Sequence, residues 1–320
     1  MGTLAGPSPL VLDDDARLLA DAHVLKMTVE AGGQAFLETP ALFVADLKRL
    51  GFGLVRCPSW LAAPISEAMR QGPALLRATA DSSAAGLTLA YKQQGDLKER
   101  LQVRRSTAGG AAGNGAIAAV EAALDALELV AVACFEAWCG VANVPVEEAF
   151  RRFGDGPGQR GIRCEAAGGG GKAKSVLNFY HYFNEAACEE EPCREHADPG
   201  LVTILCRSSN AALQVRLPSR PGGMPGCGAV YEELWRDVEP TMDSCSQGGS
   251  EGQLVLLAIA GETLERLSGG TFPACRHRVA RVEGPRFNIA YELRPRVNVW
   301  HPWLDASTEA GNGACHTNGS

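Results

Sequence analysis

The sequence holds eleven cysteines but lacks any Cys-x-x-Cys pair. Their number is odd, and the closest spacings, Cys134 with Cys139 and Cys188 with Cys193, do not match a zinc ribbon. Reduced thiols are therefore expected rather than a disulfide framework or a structural zinc. A basic excess is also lacking: 30 Lys and Arg against 37 Asp and Glu leave a net charge of -7. Nucleic acid and anionic membranes both select basic surfaces, so neither is an expected partner. A secretory leader is missing, because Asp13, Asp14 and Asp15 stand where a basic region and an apolar run belong. Gly6 occupies the position where a myristoylation signal needs Ser or Thr. No long apolar run is free of charge: 116–144 is interrupted by Glu121, Asp125, Glu128 and Glu136, which predicts a core helix rather than a membrane span. Gly168-Gly-Gly-Gly-Lys172 is not a phosphate loop, since Ala166 and Ala173 replace the required Gly and Ser or Thr. These absences together predict a cytoplasmic protein with a small-molecule substrate and a monomer as the default state.

What is present divides the chain by texture. Residues 1–15 and 307–320 are rich in Gly, Ser, Asp and Asn and read as disordered ends. The region 16–150 reads as mostly helical. Phe43, Leu47 and Leu50 form an apolar stripe at helical spacing, followed by a short strand at 51–57. A second helix is expected over 60–78, with a break at Pro73, and a long one from Ala116 to about Ala142, capped at Asn114 or Gly115. Residues 154–174 are Gly-rich and read as a connector. From Ser175 the pattern turns to short strands at 176–183, 200–206, 212–217, 253–259, 274–282 and 286–293. The long connection 218–252 reads as an insertion or lid. The fold class this predicts is mainly β with flanking helices: an antiparallel barrel or jelly roll over 175–296 with the helical region 16–150 packed on it.

Chemistry concentrates at His196-Ala-Asp198. Residues two apart on an extended chain share a side, so one imidazole and one carboxylate can converge on one metal. His277, in Cys275-Arg-His-Arg-Val279, is the natural third ligand. Two His and one carboxylate on one face of an octahedral ion leave three positions open, which suits non-haem Fe(II) binding a cosubstrate and O2 together. Strand alternation puts Arg286, Asn288 and Ala290 on one face and Phe287, Ile289 and Tyr291 on the other. Facing inward, Arg286 needs an anion: either a dicarboxylate cosubstrate, held bidentately, or a protein carboxylate in an ordinary salt bridge. Asn288 can add a side-chain N–H. Asn178, Tyr180 and Tyr182 likewise share a face, from which Tyr180 can donate its hydroxyl; Tyr182 and Phe183 read as barrel filling. His23, His181, His301 and His316 have no partner pattern. The Glu189–Glu191 run, Arg104-Arg105 and Arg151-Arg152 read as solvated charge. Trp300 and Trp303 read as packing of the C-terminal segment, and Cys206 and Cys275 as core thiols.

In order along the chain, Asn178-Phe-Tyr180, His196-Ala-Asp-Pro-Gly-Leu-Val-Thr-Ile-Leu205, Leu213-Gln-Val215, the stretch 261–279 and Arg286-Phe-Asn288 resemble the isopenicillin N synthase-like branch of the 2-oxoglutarate/Fe(II) dioxygenases. Gly51-Phe-Gly-Leu-Val55 resembles a strand of the same branch's N-terminal region. The resemblance runs over about residues 36 to 296. It implies a double-stranded β-helix core, Fe(II) on His196, Asp198 and His277, and cosubstrate contacts from Arg286, position 288, Asn178 and Tyr180. It implies 2-oxoglutarate and O2 as cosubstrates, with ascorbate as accessory reductant. It also implies hydroxylation, desaturation or ring closure of a small organic metabolite. The chain departs from the usual Arg-x-Ser, since Asn288 stands at the third place. A same-fold oxidase using Fe(II) and O2 without 2-oxoglutarate, and a non-catalytic ligand-binding barrel, are the competing expectations.

Overall fold

The computed structural model describes residues 23–29, 35–80, 87–105, 115–145, 175–184, 191–217, 235–247 and 253–294. The two ends expected to be disordered, the 154–174 connector, most of the 218–252 connection, Arg151-Arg152, His301, His316, Trp300 and Trp303 lie outside the described residues.

The elements run β1 (Val24–Val29), β2 (Ala35–Leu37), α1 (Pro40–Leu50), β3 (Phe52–Cys57), α2 (Ser59–Ala80), β4 (Leu87–Gln94), β5 (Lys98–Arg105), α3 (Gly115–Val141), β6 (Val176–Tyr182), β7 (Cys193–His196), β8 (Val202–Leu205), β9 (Leu213–Arg216), β10 (Trp235–Asp237), α4 (Glu239–Gln247), β11 (Leu254–Ala260), α5 (Glu262–Leu267), β12 (His277–Val279) and β13 (Arg286–Leu293). Nine strands form a large sheet in the order β2-β1-β3-β11-β8-β13-β6-β5-β4, and four form a small one, β10-β9-β12-β7. Apart from β1 beside β3, the strand pairings among the described residues are antiparallel.

Both faces of the central strands are covered, which explains their nearly unbroken apolar sequences. In β11, Leu256, Ala258 and Ala260 join the core beneath the helices, while Val255, Leu257 and Ile259 face the small sheet and pack with Leu213 and Val215. In β13, Phe287, Ile289 and Tyr291 enter the helix-side core, and Arg286, Asn288, Ala290 and Glu292 face inward. Helix α3 is apolar on nearly every side and seats Trp138 against Phe135 (centroids 5.4 Å) and Phe272 (6.2 Å). Its Glu128, buried at 3 % exposure, accepts from Arg105 of β5 (2.7 and 3.0 Å) and lies 3.4 Å from the Tyr291 hydroxyl of β13. Arg105 is thus a helix-to-sheet anchor, not the solvated charge expected of Arg104-Arg105.

The helices of the N-terminal half lie where expected, and α2 bends at Gly72 (φ 53), the residue before Pro73. The helical reading of 16–150 is nevertheless incomplete. That region supplies five strands, and they join the large sheet rather than resting on it as a separate layer. The β4–β5 hairpin escapes a hydropathy reading because one face of each strand is polar: β5 alternates buried Glu99, Leu101 and Val103 with half-buried polar residues. Glu99 is itself a tie point, taking the Tyr91 hydroxyl at 2.7 Å, His181 at 2.8 Å and Arg77 at 3.2 Å, so that α2, β4, β5 and β6 meet at one carboxylate. Of the 218–252 connection, the described part is regular structure: β10 extends the small sheet and α4 packs on the core through Val238 and Met242.

Candidate metal centre

His196 ends β7 and His277 opens β12, and these strands are hydrogen-bonded neighbours with the two residues paired in register. The pairing brings their rings to 4.3 Å between centroids. Asp198, two residues beyond His196, turns in beneath both: its Oδ1 lies 3.5 Å from His196 Nε2 and 3.9 Å from His277 Nε2. One ligand atom from each of the three lies within 4.8 Å of the others.

Backbone carbonyls set the orientation of both imidazoles. His196 Nδ1 is 2.9 Å from the Arg194 carbonyl and His277 Nδ1 is 3.1 Å from the Cys275 carbonyl. A proton on Nδ1 is what such carbonyls require, which leaves Nε2 of each ring turned to Asp198 as the atom a metal would take, as in metal-binding histidines. With no metal on Nε2, hydrogen bonding to Asp198 raises His196 to about 10, so its Nε2 holds a proton that a metal would displace, and burial lowers His277. Burial pushes the Asp198 carboxyl up, but its two imidazoles outweigh burial and hold it at about 2. An anion pressed between two imidazoles is a cation site, and the donor set suits Fe(II).

The loop carrying Asp198 is clamped from behind. The Asp198 carbonyl accepts from Glu262 N (2.8 Å), Gly200 from Thr263 N (3.1 Å) and Leu201 from Gly261 N (3.0 Å). A Cβ on Gly261 would sit 2.2 Å from the Gly200 carbonyl oxygen and 2.9 Å from that of Asp198, so only glycine permits this approach. On the outer face of the small sheet Glu195 pairs with Arg216 at 3.0 Å and with Arg276, holding β7 against its neighbours.

Behind the triad a cavity of about 60 Å³ reaches to the large sheet. Asn178, Tyr180, Arg286 and Asn288, all singled out in the sequence, line it together with the triad. Arg286 is 1 % exposed and its Nε has no hydrogen-bond partner among the described residues. Its nearest carboxylate is Glu239 of α4, with Oε1 at 3.7 Å. Both possible anions for Arg286 therefore have a basis here: a protein carboxylate is close, but beyond hydrogen-bond length. Glu239 is occupied by other donors, taking Ser208 N (2.7 Å), the Ser208 hydroxyl, Ala212 N (2.7 Å) and Leu213 N (2.9 Å). Asn288 does not aim its amide at the cavity alone, since Nδ2 donates to the Cys206 carbonyl at 2.6 Å. Asn178 Oδ1 accepts from Gln102 Nε2 at 3.0 Å. Burial raises the Tyr180 hydroxyl, which is therefore a neutral donor.

Tyr182 fills the barrel as expected, packed with Ala212 and Val279, and it also lines the cavity, with the Arg286 guanidinium 5.3 Å from its ring centre. Two other residues at the cavity, Cys193 and Glu292, and one behind it, Glu239, carried no motif. Cys193 touches His196 Nδ1 at 3.8 Å, and Glu239 reaches Arg286 from a distant helix. Glu292 lies on the cavity face of β13, where the 286-288-290 alternation extended by one step would have found it; burial raises its carboxyl, and Arg294 holds it at 2.6 Å. His23 and His181 are structural, bonded to Asp46 and Glu99. Cys206 and Cys275 are core thiols whose ionisation burial suppresses.

Two facing sheets with a His-x-Asp…His cluster between them define a class, the double-stranded β-helix fold. No protein-family model and no curated protein matches the sequence. Solved structures do. A full-length Neurospora crassa protein in complex with alpha-KG and 5-formyluracil superposes with a TM-score of 0.58 at 17% identity, over 83% of this chain and 82% of that one. The 2-oxoglutarate complex of a dioxygenase for auxin oxidation from Arabidopsis thaliana gives 0.54 at 13% identity over 86% and 94%, and the rice dioxygenase for auxin oxidation gives 0.53 at 17% over 85% and 83%. The chain has the fold of the 2-oxoglutarate/Fe(II) oxygenases.

Proposed function

We propose that the protein is an enzyme that couples oxidation of a small organic molecule to the decarboxylation of 2-oxoglutarate at an Fe(II) held by His196, Asp198 and His277. The observation that carries this reading is the convergence of the three ligand atoms within 4.8 Å at one end of a cavity whose other end holds a buried guanidinium. When bound, the iron supplies the chemistry that activates O2 and takes up the keto-acid end of the cosubstrate. The chain itself supplies position and charge. Arg286 draws the far carboxylate to the large sheet, Tyr180 donates a hydroxyl to it, and the Tyr182 ring bounds it on one side. The apolar walls, Leu205, Leu213 and Val279, exclude water around the reacting carbon. The order of motifs supports placement in the isopenicillin N synthase-like branch. The buried free thiols of Cys57, Cys134 and Cys206 support a reducing, cytoplasmic site of action.

A second reading has one observation in its favour. Glu239 gives Arg286 a partial protein counter-ion, as expected of a same-fold oxidase that uses Fe(II) and O2 without 2-oxoglutarate. Anaerobic titration with Fe(II) and then 2-oxoglutarate separates the two. A weak visible charge-transfer band is expected, lost in His277→Ala, followed by one succinate per O2 on admitting air. A band-free titration with O2 uptake and no succinate would establish the oxidase instead.

A further inference from the structure

Strand β5 lies beside β6 with Lys98 opposite Tyr182, Arg100 opposite Tyr180 and Gln102 opposite Asn178. Alternation therefore turns Lys98, Arg100, Gln102 and Arg104 to the cavity side of the sheet, and β4 adds Lys92 opposite Arg100. On this side the two strands carry Lys92, Lys98 and Arg100 and no acid, in a chain whose net charge is -7, while Arg104 acts on Glu292 of β13. Several arginines near the core sit on carboxylates: Arg105 on Glu128, Arg77 on Glu99, Arg294 on Glu292. Lys98 and Arg100 differ. Lys98 donates to the Pro192 carbonyl at 3.0 Å and lies 5.3 Å from the centre of the Tyr182 ring. Arg100 stands opposite Tyr180 in the β5–β6 pairing, and its charge acts on the Tyr180 hydroxyl. Among the described residues neither has a carboxylate within ion-pair distance. Neutral partners orient these two cations without neutralising them, and a half-buried guanidinium in that state favours an oxyanion it can hold bidentately.

We propose that Arg100 and Lys98 form the seat for an acidic group of the substrate, so that the molecule oxidised is a small organic oxyanion, a carboxylate or a phosphate monoester. This rests on the oxygenase reading for what happens to the molecule, but not for its binding. Tyr180 and Tyr182 link the seat to the triad. They line the cavity with His196, Asp198 and His277, and adjacent strands lie only about 5 Å apart. An acid on Arg100 therefore leaves the carbons a few bonds away in front of the metal ligands, while Arg286, deeper on β13, is kept for the cosubstrate.

The test is equilibrium binding to the purified full chain without added metal, by ligand-observed NMR. The probes are hexanoate, benzoate, phenylacetate and phenyl phosphate, each beside its uncharged amide or alcohol. At least one acid is expected to bind about tenfold or more tightly than its uncharged twin, and Lys98→Gln with Arg100→Gln to remove that preference. Arg100→Lys alone should keep most of it, which guards against misfolding as the cause. Comparison of phenyl phosphate with the carboxylates separates the two oxyanion sources. The proposal is overturned if no probe acid outbinds its twin, if the double variant keeps the preference, or if that variant loses 2-oxoglutarate affinity as much as probe affinity. Should the acid preference hold while no chelate band forms with Fe(II) and 2-oxoglutarate, the oxygenase reading fails and the anion seat stands.

Discussion

Arg286 and Glu239 pose the sharpest question at the scale of single residues. The guanidinium is almost fully buried with an unpartnered Nε, and the carboxylate 3.7 Å away already serves four protein donors. Removing the cation should thus cost the cosubstrate more than the fold. Arg286→Ala is expected to weaken 2-oxoglutarate about tenfold to a hundredfold, the range for a lost charged hydrogen bond, read from the chelate band. Glu239→Gln should do the reverse. It puts an amide N–H against backbone donors and lowers stability by roughly 1–3 kcal/mol in denaturant unfolding, while removing the protein carboxylate beside Arg286 and making 2-oxoglutarate binding tighter. The convergence of His196, Asp198 and His277 and the inward turn of Arg286 were legible in the sequence because period-two alternation and the His-x-Asp spacing are local. Glu239 was not, because its partners Ser208, Ala212 and Leu213 are about thirty residues away and a Glu before Pro carries no local signal.

At the scale of elements, the loop behind Asp198 and the knot at Glu99 make opposite kinds of prediction. Gly261→Ala must push the 198–201 loop off the start of α5. Metal affinity is expected to fall by about tenfold or more while the far-ultraviolet spectrum stays native, since the clash meets a ligand-bearing loop rather than the core. Glu99 is depressed below its ordinary value: burial opposes this, but Tyr91 and His181 outweigh it. Its contribution is therefore full above the unfolded value near 4.5 and lost as pH falls through the lower folded value. Glu99→Gln should consequently lower the melting temperature at pH 7 by more than at pH 3; an equal deficit at both would mean the carboxylate's charge is irrelevant. Legibility at this scale followed packing. The expected limits of β13 coincide with the observed strand because both of its faces are buried, and α3 shows in its long, mostly apolar run. The pair β7 and β10 escaped because three- and four-residue strands such as Cys-Arg-Glu-His are charged and are held by neighbours and by Glu195, not by hydrophobicity. Arg105 read as solvated charge because its partners, Asp125 and Glu128, come from another element.

At the scale of the whole molecule, the division of labour between the two sheets stands out. His196 and His277 belong to the small sheet, with Asp198 just beyond β7, whereas Arg286, Asn288, Asn178 and Tyr180 belong to the large one. What joins these groups is the shared core of Leu205, Leu213, Val215, Leu257 and Ile259, side chains with no chemistry of their own. That core acts as a ruler. Facing sheets settle at a fixed separation of about 10 Å once their side chains interlock, so the span from metal ligands to guanidinium is set by the girth of aliphatic residues. A keto-diacid with one methylene more or fewer than 2-oxoglutarate should bind at least about tenfold less well in chelate titrations. Trimming Leu213 or Leu257 should blur that choice of chain length before it touches a single ligand, so that an enzyme of this build would measure its cosubstrate with its hydrophobic filling.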